Sequence, residues 1–268
     1  MANSISDLSL LATQLQNAVR ETGNWMRLER RQFQREVTEL KGRNDLVSYV
    51  DKEAEKRLMN ALSEALPEAG FINEESGTRK AERFHWIIDP LDGTTNYIHG
   101  LPIYAVSVAL TDNNDILLGC VYDPEHNELF FAQKGKGAYL NGTPINVSKT
   151  PMLKDGLIAT GFPYSYFNHI DAYLGALKEV LLKSRGIRRP GAAAIDLVWT
   201  ACGRFDAFYE SWLNPWDVAA GILIVREAGG TVTSFSLNND CISGQEILAT
   251  NGQIHDELAE ILQKYPVT

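Results

Sequence analysis

Cysteine is scarce in this chain. Cys120, Cys202 and Cys241 are its three cysteines in 268 residues, and no two form a C-x-x-C pair. An odd, scattered set excludes a disulfide framework and a thiolate metal site, and reads as reduced core residues of a cytoplasmic protein. The five histidines are scattered too, without metal-ligand spacing. Long apolar runs are missing: no window approaches the ~18 consecutive apolar residues of a membrane span. The opening "MANSISDLSLLATQLQ" has neither the basic region nor the apolar run of a signal peptide. There is no internal repeat and no low-complexity segment. A basic surplus is absent as well. The formal net charge is -9, which argues against a surface built for nucleic acid. An anionic small substrate is still allowed, because a bound metal ion can reverse the local field.

What is present suits a soluble globular protein, with 44% hydrophobic and 22% charged residues. The length allows one large domain or two small ones. Leu8, Leu11, Leu15, Ala18, Thr22 and Trp25 recur at spacings of three and four and predict a helix over 4–30. A second helix is expected over 48–66, closed by Pro67 and Gly70. Short β-like runs at 86–89, 103–110, 116–122 and 128–133 follow, separated by turn sequences. This part predicts helices on a largely antiparallel sheet. After "NVSKTPMLKDG" the rhythm changes to strand "GLIAT", helix 165–184, a short strand in "GIRRPG", helix 192–202, strand 205–210 and helix 215–228. Strands 231–235 and 246–250 and helix 253–264 complete an α/β pattern. A soft boundary near 145–155 divides the chain into halves, 1–147 and 148–268, expected to pack as one unit.

The chemistry gathers in carboxylates. In "WIIDPLDGTTNYIHGLP", Asp89 precedes Pro90 and is biased towards extended backbone. It is expected to end strand 86–89, with an immediate turn that brings Asp92 back beside it. Two carboxylates held close repel unless a proton or cation lies between them. Hard oxygen ligands without a His or Cys cluster point to Mg²⁺ or a similar ion. A polar turn using Asp as a turn former is the plainer alternative. The following "GTTN" favours the site, since Gly93 allows close approach and the Gly93–Thr95 N–H groups can face an anion. A D-x-D-x-T phosphatase with an aspartyl nucleophile fits poorly, because these aspartates are three apart and far from the N-terminus.

The other acidic residues have ordinary readings beside functional ones. Glu74 and Glu75 in "FINEES" suit a solvated turn, made tight by Asn73, which tolerates positive φ. Asp51 fits a capping box with Ser48. Asp217 stands at N3 of a helix with Asn214 as N-cap and Pro215 at N1. That helix, "VAAGILIV", is apolar nearly all round, so it is buried, and an Asp at its start invites an ion. Glu210 ends the strand "FDAFYE" and on its own reads as an exposed strand-end carboxylate. His99 reads as structural, and Arg188 and Arg189 suit either a phosphate or the surface.

Taken together, "NEES", "DPLDGTTNYIHGLP" and "NPWDVAAGILIVREAGG" closely resemble the inositol monophosphatase family, in order and from "KGRNDLVSYVDKEAE" to "TNGQIHDEL". The resemblance implies a five-layer αβαβα sandwich of the sugar phosphatase type (α+β / α/β). It implies a Mg²⁺-dependent phosphomonoesterase with two or three ions per site, lithium-sensitive and homodimeric. By motif position, Glu74, Asp89 and the Leu91 carbonyl would hold the first ion. Asp89, Asp92 and Asp217 would hold the second, and a weaker third ion would use the Glu74 side. Asp51 and Thr94 match the pair that orients the attacking water, with Glu74 also counted as catalytic. Gly93 and Thr94 match donors to the phosphate, while Ala193, Glu210 and Asp217 match positions that face the alcohol. The implied substrate is inositol 1-phosphate or a related sugar or polyol monophosphate; the net charge and the missing apolar span separately predict no nucleic acid and no membrane as partner. Fructose 1,6-bisphosphate, 3′-phosphoadenosine 5′-phosphate and histidinol phosphate are the alternatives, as is an added regulatory role. Two departures are small: Asn73 replaces the usual Gly, and Ser48 the usual Thr.

Overall fold

The computed structural model describes residues 8–33, 39–42, 45–162, 167–239, 241–243 and 245–267, with backbone alone for 39–42 and 45–47. The expected helix starts at 4–7 and 165–166 lie outside the described residues. Helix α1 (Leu8–Glu29) buries Leu11, Leu15, Ala18, Val19, Thr22 and Met26 along one stripe, as its apolar spacing predicts. Strands β1 (Glu39–Gly42) and β2 (Asp45–Val47) pair antiparallel and lead to α2 (Tyr49–Ala65). Ser48 is the N-cap of α2, and it forms the expected capping box with Asp51.

Both helices cover one face of an eight-stranded sheet. Its strands are β3 (Gly70–Asn73), β4 (Gly77–Arg79), β5 (Phe84–Asp92), β6 (Ala105–Asp112), β7 (Asp115–Asp123), β8 (Glu128–Gln133), β9 (Ala138–Leu140) and β10 (Thr143–Ile145). Their order is β10-β9-β8-β7-β6-β5-β3-β4. Every neighbouring pair is antiparallel except β3 with β5. A short helix, α3 (Thr94–His99), follows the end of β5.

The second sheet has five strands: β11 (Leu157–Thr160), β12 (Gly186–Arg188), β13 (Ala207–Ser211), β14 (Thr231–Thr233) and β15 (Glu246–Thr250). They run in the order β12-β11-β13-β15-β14. Strand β11 is parallel to both its neighbours, and the other pairs are antiparallel. Helices α4 (Ile170–Lys183) and α7 (His255–Gln263) cover its outer face. Helices α5 (Ala193–Ala201) and α6 (Pro215–Glu227) fill the space between the sheets. The result is five layers, αβαβα. Helix α6 has a sheet on either side, which is why Val218 to Val225 can all be buried and need no polar face. Among the described residues, no helix is long and apolar enough to cross a membrane.

Three local expectations change. Strand β5 does not stop at Asp89; it continues through Pro90 to Asp92, with an irregular register against β6 between the two aspartates. Proline lacks an N–H, and a bulge is one of the few sheet positions that tolerates it. Asn73 makes no left-handed turn. It is the last residue of β3, buried, and its Nδ2 donates to Ser76 Oγ at 3.1 Å. The positive φ falls instead on Gly77, at 77°. Glu210 is not an exposed strand end, since it lies within β13 at 6% exposure.

Candidate active site

Every site residue expected from the sequence except Asp51 borders one cavity of about 550 Å³. Asp51 lies behind it and reaches it through Thr94. The residues come from separate elements. Glu74 follows β3, while Asp89, Leu91 and Asp92 come from the irregular end of β5. Gly93 and Thr94 open α3, Ala193 opens α5, Glu210 comes from β13, and Asp217 is at N3 of α6. Gly93 has φ 88°, the left-handed region that glycine enters freely. A Cβ there would lie 3.0 Å from the Ile103 carbonyl and 3.2 Å from Ala192 Cβ. The glycine therefore serves both the turn and the close packing.

The local hydrogen bonds fix the β5 wall. Asp89 Oδ1 accepts the Leu91 N–H at 2.9 Å. Asp92 reaches across the molecule to the start of α5, accepting the Ala194 N–H at 2.7 Å and the Ala193 N–H at 3.2 Å. Ala192, the N-cap of α5, has no side chain that can cap, so a carboxylate about a hundred residues earlier does so. Ala193 reaches the cavity as expected, but its N–H is engaged by Asp92. Thr94 Oγ1 lies 3.0 Å from Asp51 Oδ1 and 2.9 Å from the Leu91 carbonyl, and its single proton serves one of them at a time. The other oxygen of Asp51 accepts from Ser48 N at 2.8 Å and Ser48 Oγ at 2.6 Å. The plain capping reading of Asp51 and the Thr94 pairing therefore both hold.

The electrostatics follow from crowding acidic groups out of water. Burial pushes the Asp89 carboxyl well above its ordinary range, and Glu74, Asp92 and Asp217 push it further. Glu74 also shares a hydrogen bond with Asp89. Asp92 rises to about 7 through burial and the Glu74 charge, against the pull of the α5 N–H groups. Asp217 also rises to about 7, through burial and Asp92, although it accepts the Asn214 N–H at 2.6 Å. Burial, then Asp217 and Asp92, drive Glu210 well upward, with Arg189 opposing. Both arginines are exposed; Arg189 borders the cavity, whereas Arg188 does not and donates to its neighbour's carbonyl at 2.9 Å.

Some contributors were not read from the sequence. Glu55 is 4% exposed and accepts the Glu75 N–H at 2.9 Å, so α2 holds the turn that carries Glu74. Its place four residues after Asp51, on the same helix face, was the available signal. Asn96 Nδ2 donates to the Ile103 carbonyl at 2.8 Å and the Pro190 carbonyl at 2.9 Å, tying α3 to the approach to α5. Asp196 is 1% exposed, and its Oδ1 has no hydrogen-bond partner among the described residues. Its carboxyl is held well above the ordinary range by burial, Glu210 and Asp92, with Arg189 opposing. Trp212, Leu213 and Trp216 add an apolar side to the cavity.

The donor chemistry fits a hard divalent cation. Five carboxylates, Glu74, Asp89, Asp92, Glu210 and Asp217, border one cavity with the Leu91 main-chain carbonyl, and their crowding raises the affinity for positive charge. Among the described residues, no three side chains are yet gathered closely enough to hold an ion as they stand. They form an open array whose mutual repulsion a cation would relieve.

The sequence and the fold agree with those of known proteins. The model of the inositol monophosphatase family matches residues 7–266, and the chain belongs to that family. It is 45% identical over 230 residues to a putative Nus factor SuhB of Neisseria meningitidis serogroup B, covering 85% of this chain and 88% of that one. It is 42% identical over 237 residues to an inositol-1-monophosphatase of Caulobacter vibrioides, covering 85% and 93%. The crystal structure of extragenic suppressor protein suhB from Bartonella henselae superposes with a TM-score of 0.89 at 41% identity, covering 94% of this chain and 98% of that one.

Proposed function

We propose that this chain is a Mg²⁺-dependent phosphomonoesterase that hydrolyses inositol 1-phosphate and related sugar or polyol monophosphates by direct attack of water. One observation carries the reading: Glu74, Asp89, Asp92 and Asp217, brought together from three parts of the chain, border the same cavity as Thr94, which pairs with Asp51 behind it. Glu74, Asp89 and the Leu91 carbonyl would hold one ion, and Asp89, Asp92 and Asp217 a second, with a third on the Glu74 side. Such ions lower the pKa of a bound water and neutralise charge on the leaving oxygen. Thr94 donates to Asp51 and so leaves its oxygen lone pairs to receive a water proton, which orients the nucleophile. The N–H groups of Gly93 and Thr94 would cradle the phosphate. Glu210, Asp217 and Ala193 would face the alcohol. Burial of Asp89 and Asp92 keeps competing water from screening these charges.

The test is a comparison of kcat/KM for inositol 1-phosphate, fructose 1,6-bisphosphate, 3′-phosphoadenosine 5′-phosphate and histidinol phosphate, with Mg²⁺ and with EDTA. Hydrolysis that prefers inositol 1-phosphate and is lost in EDTA supports the proposal. A different leading substrate reassigns the enzyme within the fold, and metal-independent turnover removes the metal reading. A phosphoryl group trapped on Asp89 or Thr94 by rapid quench would rule out direct water attack. Lithium inhibition relieved by Mg²⁺, and a dimer in solution, belong to the same proposal.

The Neisseria relative's name favours a second reading, an added binding role in transcription beside catalysis. The earlier expectation of no nucleic-acid partner rests on charge alone. Pull-down with Asp217→Asn, which would remove turnover and keep the surface, separates the two roles.

A further inference from the structure

Trp212 has φ 62°, inside the left-handed region. Glycine adopts that conformation freely, and asparagine, found at three of the other positive-φ sites, tolerates it. A bulky aromatic does not, and such outliers persist only where the surroundings over-determine them. Here the Trp212 N–H donates to the Gln245 carbonyl at 2.8 Å. The indole stacks on His169, at 6.4 Å between ring centroids and 21° between planes, and leans on Tyr173 at 6.2 Å and 44°. The backbone and both neighbouring rings thus fix a large flat side chain two residues after Glu210 and five before Asp217.

That position borders the same cavity as Glu210 and Asp217, the carboxylates assigned to the alcohol, and lies between them in sequence. A ring-shaped alcohol has a rim of hydroxyls and a fairly rigid face of C–H groups or π electrons. The rim suits Glu210 and Asp217, which accept hydrogen bonds when ionised. The face suits an indole, which offers large apolar area at low entropy cost. An open-chain polyol has the hydroxyls but no fixed face. It would have to freeze several bonds to lie against the ring.

We infer that Trp212 is a specificity-determining platform, by which this site selects phosphomonoesters of ring alcohols (cyclitols, sugars, nucleosides) over those of open-chain polyols. The inference rests on the phosphomonoesterase reading above. The experiment measures kcat/KM for inositol 1-phosphate and glycerol 2-phosphate in the parent enzyme and in Trp212→Gly, Trp212→Asn and Trp212→Phe. The expected result is a drop in the ring-to-chain ratio on the order of tenfold for the Gly and Asn variants, carried mainly by KM. Trp212→Phe keeps an aromatic face and should retain most of the ratio. Trp212→Gly relieves the left-handed strain but gives up the contacts with His169 and Tyr173, so the ratio and not Tm decides the role. A merely structural Trp212 would reduce both substrates alike and leave the ratio unchanged.

Calorimetric Kd values for the same two esters, with Ca²⁺ in place of Mg²⁺, read the same preference without turnover. If hydrolysis of every ester fails while ring-selective binding is lost in Trp212→Gly, the platform stands and the phosphomonoesterase reading falls. If the ring-to-chain ratio is unchanged in both Gly and Asn variants, by turnover or by binding, the platform is overturned.

Discussion

The two sides of the cavity hold their carboxylates in different ways. On the β5–α3 side, Asp89 accepts from Leu91, Asp92 from Ala193 and Ala194, and Asp51 from Ser48 and Thr94. These groups are fixed by short bonds, most of them to the main chain. On the α5–β13–α6 side, Glu210 borders the cavity and is buried, and Asp196, buried in α5 outside the cavity lining, has an Oδ1 with no partner among the described residues. The Arg189 charge opposes the burial of both. A Cβ at Gly161 would fall 2.0 Å from Glu210 Oε1, so the glycine makes room for that side chain. The difference fits the function proposed above as a division of labour. A phosphate and its cations have the same shape in every substrate, so the fixed groups, including Asp217 of α6 with its bond from the Asn214 N–H, would serve them. The alcohol differs between substrates, so Glu210 would be left to bond the substrate itself.

The comparison is broken most forcefully at Asp89. Asp89→Asn removes the carboxylate proposed to bridge both ions, and kcat should fall by at least about 10²–10³-fold for every ester, with Tm kept or raised. Turnover assays and thermal melts check both parts. Normal turnover at saturating Mg²⁺ would remove Asp89 from the fixed wall.

Glu55 tests whether that wall depends on support from α2. Glu55→Ala frees the Glu75 N–H and loosens the turn under Glu74. The Mg²⁺ concentration for half-maximal activity should rise about tenfold, with most of kcat recovered at saturating Mg²⁺. Glu55→Gln retains an accepting oxygen and should rescue much of the loss. A Mg²⁺ titration of the two variants distinguishes positioning from general instability.

The smallest effect is on stability. Asp92 and Asp217 titrate near 7 when folded, against 3.8 as the ordinary value. The folded state therefore binds protons that the unfolded chain has released. Stability from this source is present in full below about 3.8 and is lost as pH rises through about 7. Metal-stripped protein should melt a few degrees higher at pH 6 than at pH 8, and saturating Mg²⁺ should narrow or reverse the gap. A Tm that climbs with pH in EDTA would contradict the repulsion described here.

Much of the fixed wall was legible because its residues sit in contiguous signatures. "DPLDGTT" writes two carboxylates, a permissive glycine and a hydroxyl within seven residues. Likewise, Asn214, Pro215 and Asp217 mark the start of α6 before any fold is known. The alternation of apolar residues showed the helical layers and the change of rhythm between the sheets. What was not legible depends on distant chain. Asp92 caps a helix that begins a hundred residues later, and Glu210 is buried only because β13 lies inside the second sheet. Asn73 was read by its local preference for turns, yet sheet pairing with β4 and β5 overrode it. Trp212 shows the same limit from the other side, since no propensity places an aromatic in left-handed backbone.

The central claim is that the fixed carboxylates, Asp89 foremost, would perform the chemistry, and that Glu210 on the facing side would choose the alcohol. It is tested most directly by kcat/KM for inositol 1-phosphate and glycerol 2-phosphate in Asp89→Asn and Glu210→Gln side by side. Asp89→Asn should lower both values by the same factor and leave their ratio alone, while Glu210→Gln should shift the ratio and cost less overall. A ratio that moves with Asp89 and stays fixed with Glu210 would contradict the division.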